Sequence, residues 1–163
     1  MILMNDFKAE PLELREAMLK AANRVLESGW YVLGNEGKQF EEQWSTVCGV
    51  GHGIGVANGM DAIEIALLGL SIGAGDEVIT SPMTAFATIL AIIRSGAKPV
   101  LADIDLETAL LSTASVRRCL TAKTKAVVLV HLYGQLRYMD KWVNFCEENE
   151  IILIEDCAQA HQA

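Results

Sequence analysis

The sequence predicts an α/β fold, a three-layer α/β/α arrangement around a mostly parallel sheet. Short apolar runs alternate with amphipathic helical segments, which is the pattern of consecutive βαβ units. The composition is 52% hydrophobic and only 21% charged, as expected where strands are covered on both faces. Turn clusters, Gly73-Ala74-Gly75-Asp76 and Ser95-Gly96-Ala97-Lys98, fall at the joints between the runs.

Pro11 to Glu27 reads as a helix, because Leu14, Met18, Ala21 and Val25 recur at helical spacing. Pro11 suits the first turn and Gly29 follows the end. Lys38 to Cys48 is a second helix, with Phe40, Trp44 and Val47 on one face. Four strand–helix units follow. The spacing gives a strand at Gly53–Ala57 and a helix at Asp61–Leu70, then a strand at Glu77–Thr80 and a helix at Thr84–Arg94. It continues with a strand at Pro99–Ala102, a helix at Thr113–Leu120, a strand at Ala126–His131 and a helix at Met139–Asn149. Ile151–Ile154 is a fifth strand. Right-handed crossovers place the helices on both faces of the sheet.

The net charge is −8, and no basic stripe is present, so nucleic-acid binding is not expected. No apolar run is long enough to span a bilayer, and the first ten residues hold no signal-peptide core. The expected location is cytoplasmic. The four cysteines, Cys48, Cys119, Cys146 and Cys157, form no C-x-x-C pair and no zinc spacing. They read as reduced, mostly buried thiols, with Cys157 close to a candidate site. His52, His131 and His161 also lack metal spacing, and no metal is expected.

Open α/β sheets bind ligands beyond the carboxyl ends of their strands, and three segments sit there. Asp156-Cys157-Ala158-Gln159-Ala160-His161 follows the last strand. A carboxylate at Asp156 can keep a pyridine nitrogen protonated, making the ring an electron sink, and the Gln159 amide can serve an acidic ring oxygen. The plainer role for Asp156 is capping the next turn. Asn58-Gly59-Met60-Asp61 opens a helix, where free N–H groups favour an anion such as phosphate. The plainer role is a turn capped by Asn58 or Asp61. Phe86 could stack on a planar ring or simply pack in the core. Trp30 and Tyr31, in a glycine-bounded loop, either meet a ligand or partner or anchor the loop. Gly49, Gly51, Gly53 and Gly55 give no G-x-G-x-x-G frame and precede a strand, so NAD binding is not expected.

Together these segments resemble the DegT/StrS-type aminotransferases, pyridoxal-phosphate enzymes of fold type I that aminate nucleotide-linked keto-sugars. The resemblance rests on Ser28-Gly29-Trp30-Tyr31-Val32-Leu33-Gly34, Phe40-Glu41-Glu42, Val56-Ala57-Asn58-Gly59-Met60-Asp61-Ala62 and Gly73-Ala74-Gly75-Asp76-Glu77-Val78-Ile79. It continues through Val130-His131-Leu132-Tyr133-Gly134-Gln135 and Ile154-Glu155-Asp156-Cys157-Ala158-Gln159-Ala160-His161. It implies that Met60 and Asp61 hold the phosphate of pyridoxal 5'-phosphate, Met60 standing where threonine is usual. It implies that Asp156 pairs with the pyridine nitrogen and that Gln159 lies beside the phenolic oxygen. The ring-stacking position corresponds to Ala85, one residue before Phe86. Trp30 and Tyr31 match a loop near the substrate and the dimer interface.

The resemblance further implies a homodimer, an amino-acid donor such as glutamate and a nucleotide-linked keto-sugar as acceptor. The family's Schiff-base lysine lies beyond the position of Asp156. All seven lysines here, Lys8, Lys20, Lys38, Lys98, Lys123, Lys125 and Lys141, precede it. Residues 1–163 are therefore expected to be a truncated N-terminal part of the large domain of a type I PLP-transferase, without turnover alone. The alternative is a non-catalytic binding or regulatory module that pairs with a full-length homologue.

Overall fold

The computed structural model describes residues 6–161. The chain divides into two compact units, Met1–Gly55 and Val56–Ala163.

In the first unit, helix α1 spans Leu12–Ser28 and helix α2 spans Asn35–Val47. Gly29 ends α1 in the left-handed conformation (φ 65°), and its N–H donates to the Leu26 carbonyl, a helix stop that glycine adopts without strain. Arg24 of α1 and Glu36 of α2 form an ion pair at 2.9 Å. The shared hydrogen bond raises the pKa of the guanidinium and lowers that of the carboxyl. The apolar stripe of α1 is not covered: Leu14, Met18 and Leu26 are all exposed.

The strand expected at Gly53–Ala57 is not formed. The N–H of Gly55 donates to Glu41 Oε1 at 2.6 Å, so a carboxylate takes the place of a ladder partner. A Cβ at Gly53 would lie 2.8 Å from the Glu41 carbonyl oxygen. These glycines serve close approach to α2, whereas glycine in a strand leaves nothing to pack.

The second unit is a three-layer α/β/α domain. Its strands are β1 (Glu77–Thr80), β2 (Lys98–Leu101), β3 (Thr124–Val130) and β4 (Ile152–Asp156). Its helices are α3 (Gly59–Gly69), α4 (Phe86–Arg94), α5 (Thr113–Cys119) and α6 (Met139–Glu148). The strand order is β2-β1-β3-β4 and every pairing is parallel. Strand alternation sends side chains to two separate cores. Val78, Ala126, Val128 and Val130 face Ile63, Leu67, Ala91 and Ile92 of α3 and α4. Ile79, Val127 and Leu129 face Val116, Trp142, Phe145 and Cys146 of α5 and α6. Burial pushes the Cys146 thiol up to about 11, so it is fully protonated at neutral pH. Gly96 (φ 90°) makes the turn into β2, and a Cβ there would meet the Ala74 nitrogen at 3.3 Å.

Glu77 opens β1 and is buried. It accepts from Thr121 Oγ1 at 2.7 Å and from Lys98 Nζ at 2.9 Å. The Thr121 hydroxyl first, then the lysine, hold its carboxyl below the usual carboxylate range. A depressed folded-state pKa stabilises the fold above the unfolded value, and that stability is lost as pH falls through the folded value. Acidification from pH 7 to below 4.5 should lower the urea midpoint, and Glu77→Gln should lose less over the same interval. An identical decline in both proteins would show that Glu77 is not a source of the acid sensitivity.

Candidate functional site

The strand order reverses direction between β1 and β3: the chain leaves β1 towards β2, then crosses back to β3 and on to β4. A crevice opens at the carboxyl end of such a switch point. Here a cavity of about 60 Å³ is lined by Thr84, Ala85, Val130, His131, Leu132, Asp156, Ala158 and Gln159. Ligand clefts usually run to roughly 300–1,000 Å³, so this notch has room for no more than one edge of a ligand.

Asp156 ends β4 on the face that packs against α4. The buried Thr88 hydroxyl donates to its Oδ2 at 3.1 Å and is itself 3.0 Å from the Thr84 hydroxyl. The N–H of Ala158 donates to Asp156 Oδ1 at 3.2 Å. Two hydrogen bonds fix the carboxylate while leaving acceptor capacity for a cationic donor. The capping role open to Asp156 is thus partly realised, through Ala158.

Gln159 is oriented by the turn after β3. The N–H of Tyr133 donates to Gln159 Oε1 at 2.7 Å, which leaves the amide NH₂ to donate to an acceptor in the notch. Tyr133 and Gly134 both have positive φ, 59° and 78°, and a Cβ at Gly134 would approach the Gln159 carbonyl oxygen at 3.1 Å. Glycine therefore lets this turn close on Gln159.

Asn58 caps α3. Its Oδ1 accepts the Asp61 N–H at 2.9 Å, and its amide donates to Asp61 Oδ2 at 2.9 Å. The capping arrangement at this turn is present. The first N–H groups of the helix, at Gly59 and Met60, have no partner within the helix itself and point where an anion is favoured. The Met60 side chain packs on the core beneath. Neither Met60 nor Asp61 lines the notch.

Of the residues singled out in the sequence, the notch gathers Ala85, Asp156 and Gln159. The helix expected from Thr84 starts instead at Phe86, since Ser81 Oγ accepts the Met83 N–H and holds 81–85 as a turn. Phe86 does not line the notch, and its side chain is 70% exposed. In the other unit, Trp30 and Tyr31 are exposed beside a hollow of about 400 Å³ between α1 and α2. The Trp30 N–H donates to Ser28 Oγ and the Tyr31 hydroxyl to the Leu26 carbonyl, at 3.1 and 3.4 Å, so local anchoring of the loop is present. Thr88, which fixes Asp156, carried no sequence signal beyond its place one turn into α4.

The layered, parallel α/β sheet of the second unit is the fold of PLP-dependent aminotransferases. The DegT/DnrJ/EryC1/StrS aminotransferase family model matches residues 12–163, and the chain belongs to that family. It is 42% identical, over its full length, to the dTDP-3-amino-3,6-dideoxy-alpha-D-galactopyranose transaminase of Aneurinibacillus thermoaerophilus, and covers 45% of that protein. It superposes on Streptomyces venezuelae DesV in complex with a ketimine intermediate with a TM-score of 0.91 and 40% identity, covering 96% of this chain and 42% of that one. Bacillus subtilis NtdA with bound cofactor PMP gives 0.87 at 32% identity, with coverage of 91% and 34%. The chain therefore spans less than half the length of these relatives. The family is PLP-dependent. No helix among the described residues is long and apolar enough to cross a membrane.

Proposed function

We propose that this chain is part of the PLP-binding large domain of an aminotransferase that moves an amino group, from a donor such as glutamate, to a nucleotide-linked keto-sugar. The observation that carries this reading is the fixed Asp156 carboxylate beside the Gln159 amide at the switch point. The donor set suits the cofactor. Asp156 accepts from a protonated ring nitrogen, and Gln159 donates to a phenolate oxygen. Gly59 and Met60 offer backbone N–H groups to a phosphate, and Ala85 lines the notch with a small methyl group.

When bound, the cofactor supplies an electron sink for a carbanion at the substrate carbon. Asp156 keeps the proton on the ring nitrogen, and Thr88 keeps the carboxylate aimed. A pyridinium–carboxylate pair at this sheet edge stabilises the charged ring, because each partner favours the other's ionised form. Tyr133 holds Gln159 so that only its NH₂ faces the ring. Among the described residues no lysine lines the notch.

Dimerisation through the exposed stripe of α1 and a cytoplasmic location accompany this reading. Pyridoxamine phosphate tests it, because its binding needs no lysine. Saturable binding in equilibrium dialysis, competed by inorganic phosphate, is the expected result. Borohydride treatment with pyridoxal phosphate should leave no stoichiometric pyridoxyl-lysine. Absence of saturable pyridoxamine phosphate binding, or a specific lysine adduct, would overturn the assignment of these residues.

A further inference from the structure

Strand alternation sets Asp156 on one face of the sheet and its neighbours Glu155 and Cys157 on the other. His131 follows the end of β3, next to β4 in the parallel ladder that pairs Leu129 with Glu155 and Val130 with Asp156. A ring nitrogen of His131, a carboxylate oxygen of Glu155 and Cys157 Sγ consequently lie within 4.8 Å of one another. His131 is fully buried, and its Nε2 is 2.8 Å from Glu155 Oε2. Its Nδ1 is buried with no hydrogen-bond partner among the described residues. The nitrogen that faces Glu155 is Nε2, so it is Nε2 that an ion shared with Glu155 and Cys157 would meet.

We propose that His131, Glu155 and Cys157 form a zinc site that clips the carboxyl ends of β3 and β4 together. The ligand set is one imidazole, one carboxylate and one thiolate, a mixture that suits zinc rather than magnesium or calcium. Two anionic ligands balance the charge of the ion, and water completes the tetrahedron. Zinc binds such ligands at about 2.0–2.3 Å, which sets ligand atoms roughly 3.3–3.8 Å apart in a tetrahedron. The 2.8 Å His131–Glu155 pair opens by about 0.5–1 Å and the wider separations close by up to about 1.5 Å, movements open to the exposed Glu155 and half-buried Cys157 at the strand end. Binding releases the Cys157 thiol proton to solvent, so affinity rises with pH. Glu155 and Cys157 lie across the sheet from the Thr88–Asp156 contact, His131 alone also lines the notch, and the site does not depend on the proposed aminotransferase role.

Cobalt(II) titration of this chain, followed by optical absorption, provides the test. The expected result is a thiolate-to-cobalt charge-transfer band with tetrahedral visible bands, saturating at one equivalent and displaced by zinc. Cys157→Ser should abolish the charge-transfer band, and Glu155→Gln should weaken cobalt binding at least about tenfold. Both variants keep side-chain size at partly exposed positions, and circular dichroism checks that they fold. A band that persists in Cys157→Ser comes from Cys48, Cys119 or Cys146 and overturns the proposal. So does the absence of any charge-transfer band in the unmodified chain, or equal affinity in Glu155→Gln.

Discussion

Trp142→Ala should remove a large share of the stability of the second unit. The indole is 2% exposed and meets Phe145 edge-on, with ring centroids 6.1 Å apart. Both rings join α6 to Ile79, Val127 and Leu129 of the sheet. Truncation of a buried tryptophan costs about 3–5 kcal/mol, because the cavity relaxes only in part. Small domains hold about 5–15 kcal/mol in total. With a urea m-value near 2 kcal/mol/M, the midpoint should fall by about 2 M. Val143→Ala, on the outer side of the same helix, serves as the control and should change stability by less than about 1 kcal/mol. A midpoint shift in Trp142→Ala no larger than that of Val143→Ala would falsify the docking of α6 on this face.

Asp156→Asn should weaken pyridoxamine phosphate binding about ten- to a hundredfold, the worth of a hydrogen bond to a charged partner. The asparagine oxygen still accepts from Thr88 while the NH₂ gives up the bond from the Ala158 N–H, so the fold should survive the loss of the charge and of that one turn bond. Thr88→Val should give a smaller loss, since the carboxylate remains but is no longer aimed. Equal binding by the unmodified chain and Asp156→Asn would remove Asp156 from the cofactor site and leave it a turn-capping residue.

Most helices and all four strands were legible in the sequence, the helices by their period and the strands as short apolar runs. Glu77–Thr80 and Ile151–Ile154 are short apolar runs between turn signals, and they lie in the sheet as expected. Gly53–Ala57 has the same look, yet its donor goes to Glu41, fourteen residues back, and no local pattern announces a side-chain partner. The start of α4 was misplaced because the Ser81 side chain closes a turn that competes with the helix. Asp156, Gln159 and Ala85 were singled out by family resemblance and by their position at a strand or helix edge, and the structure brings all three to the notch. Thr88 was not, because its contact with Asp156 spans 68 residues. The pairing of His131 with Glu155 spans 24 and likewise exists only after the sheet has formed.

The strand order has a consequence for how the second unit is made. β2 adds to one edge of β1, β3 to the other, and β4 to the outer edge of β3. Each strand therefore joins a side that earlier strands leave open, and no ladder has to part to admit a newcomer. A chain emerging from the ribosome can build this sheet outward in the order of synthesis. Pairs such as Glu77 with Thr124 are distant in sequence and so slow to close, but they form against a βαβ unit already in place. The notch at the switch point needs β4, the last made of these four strands, so it forms only after β1, β2 and β3 can pair.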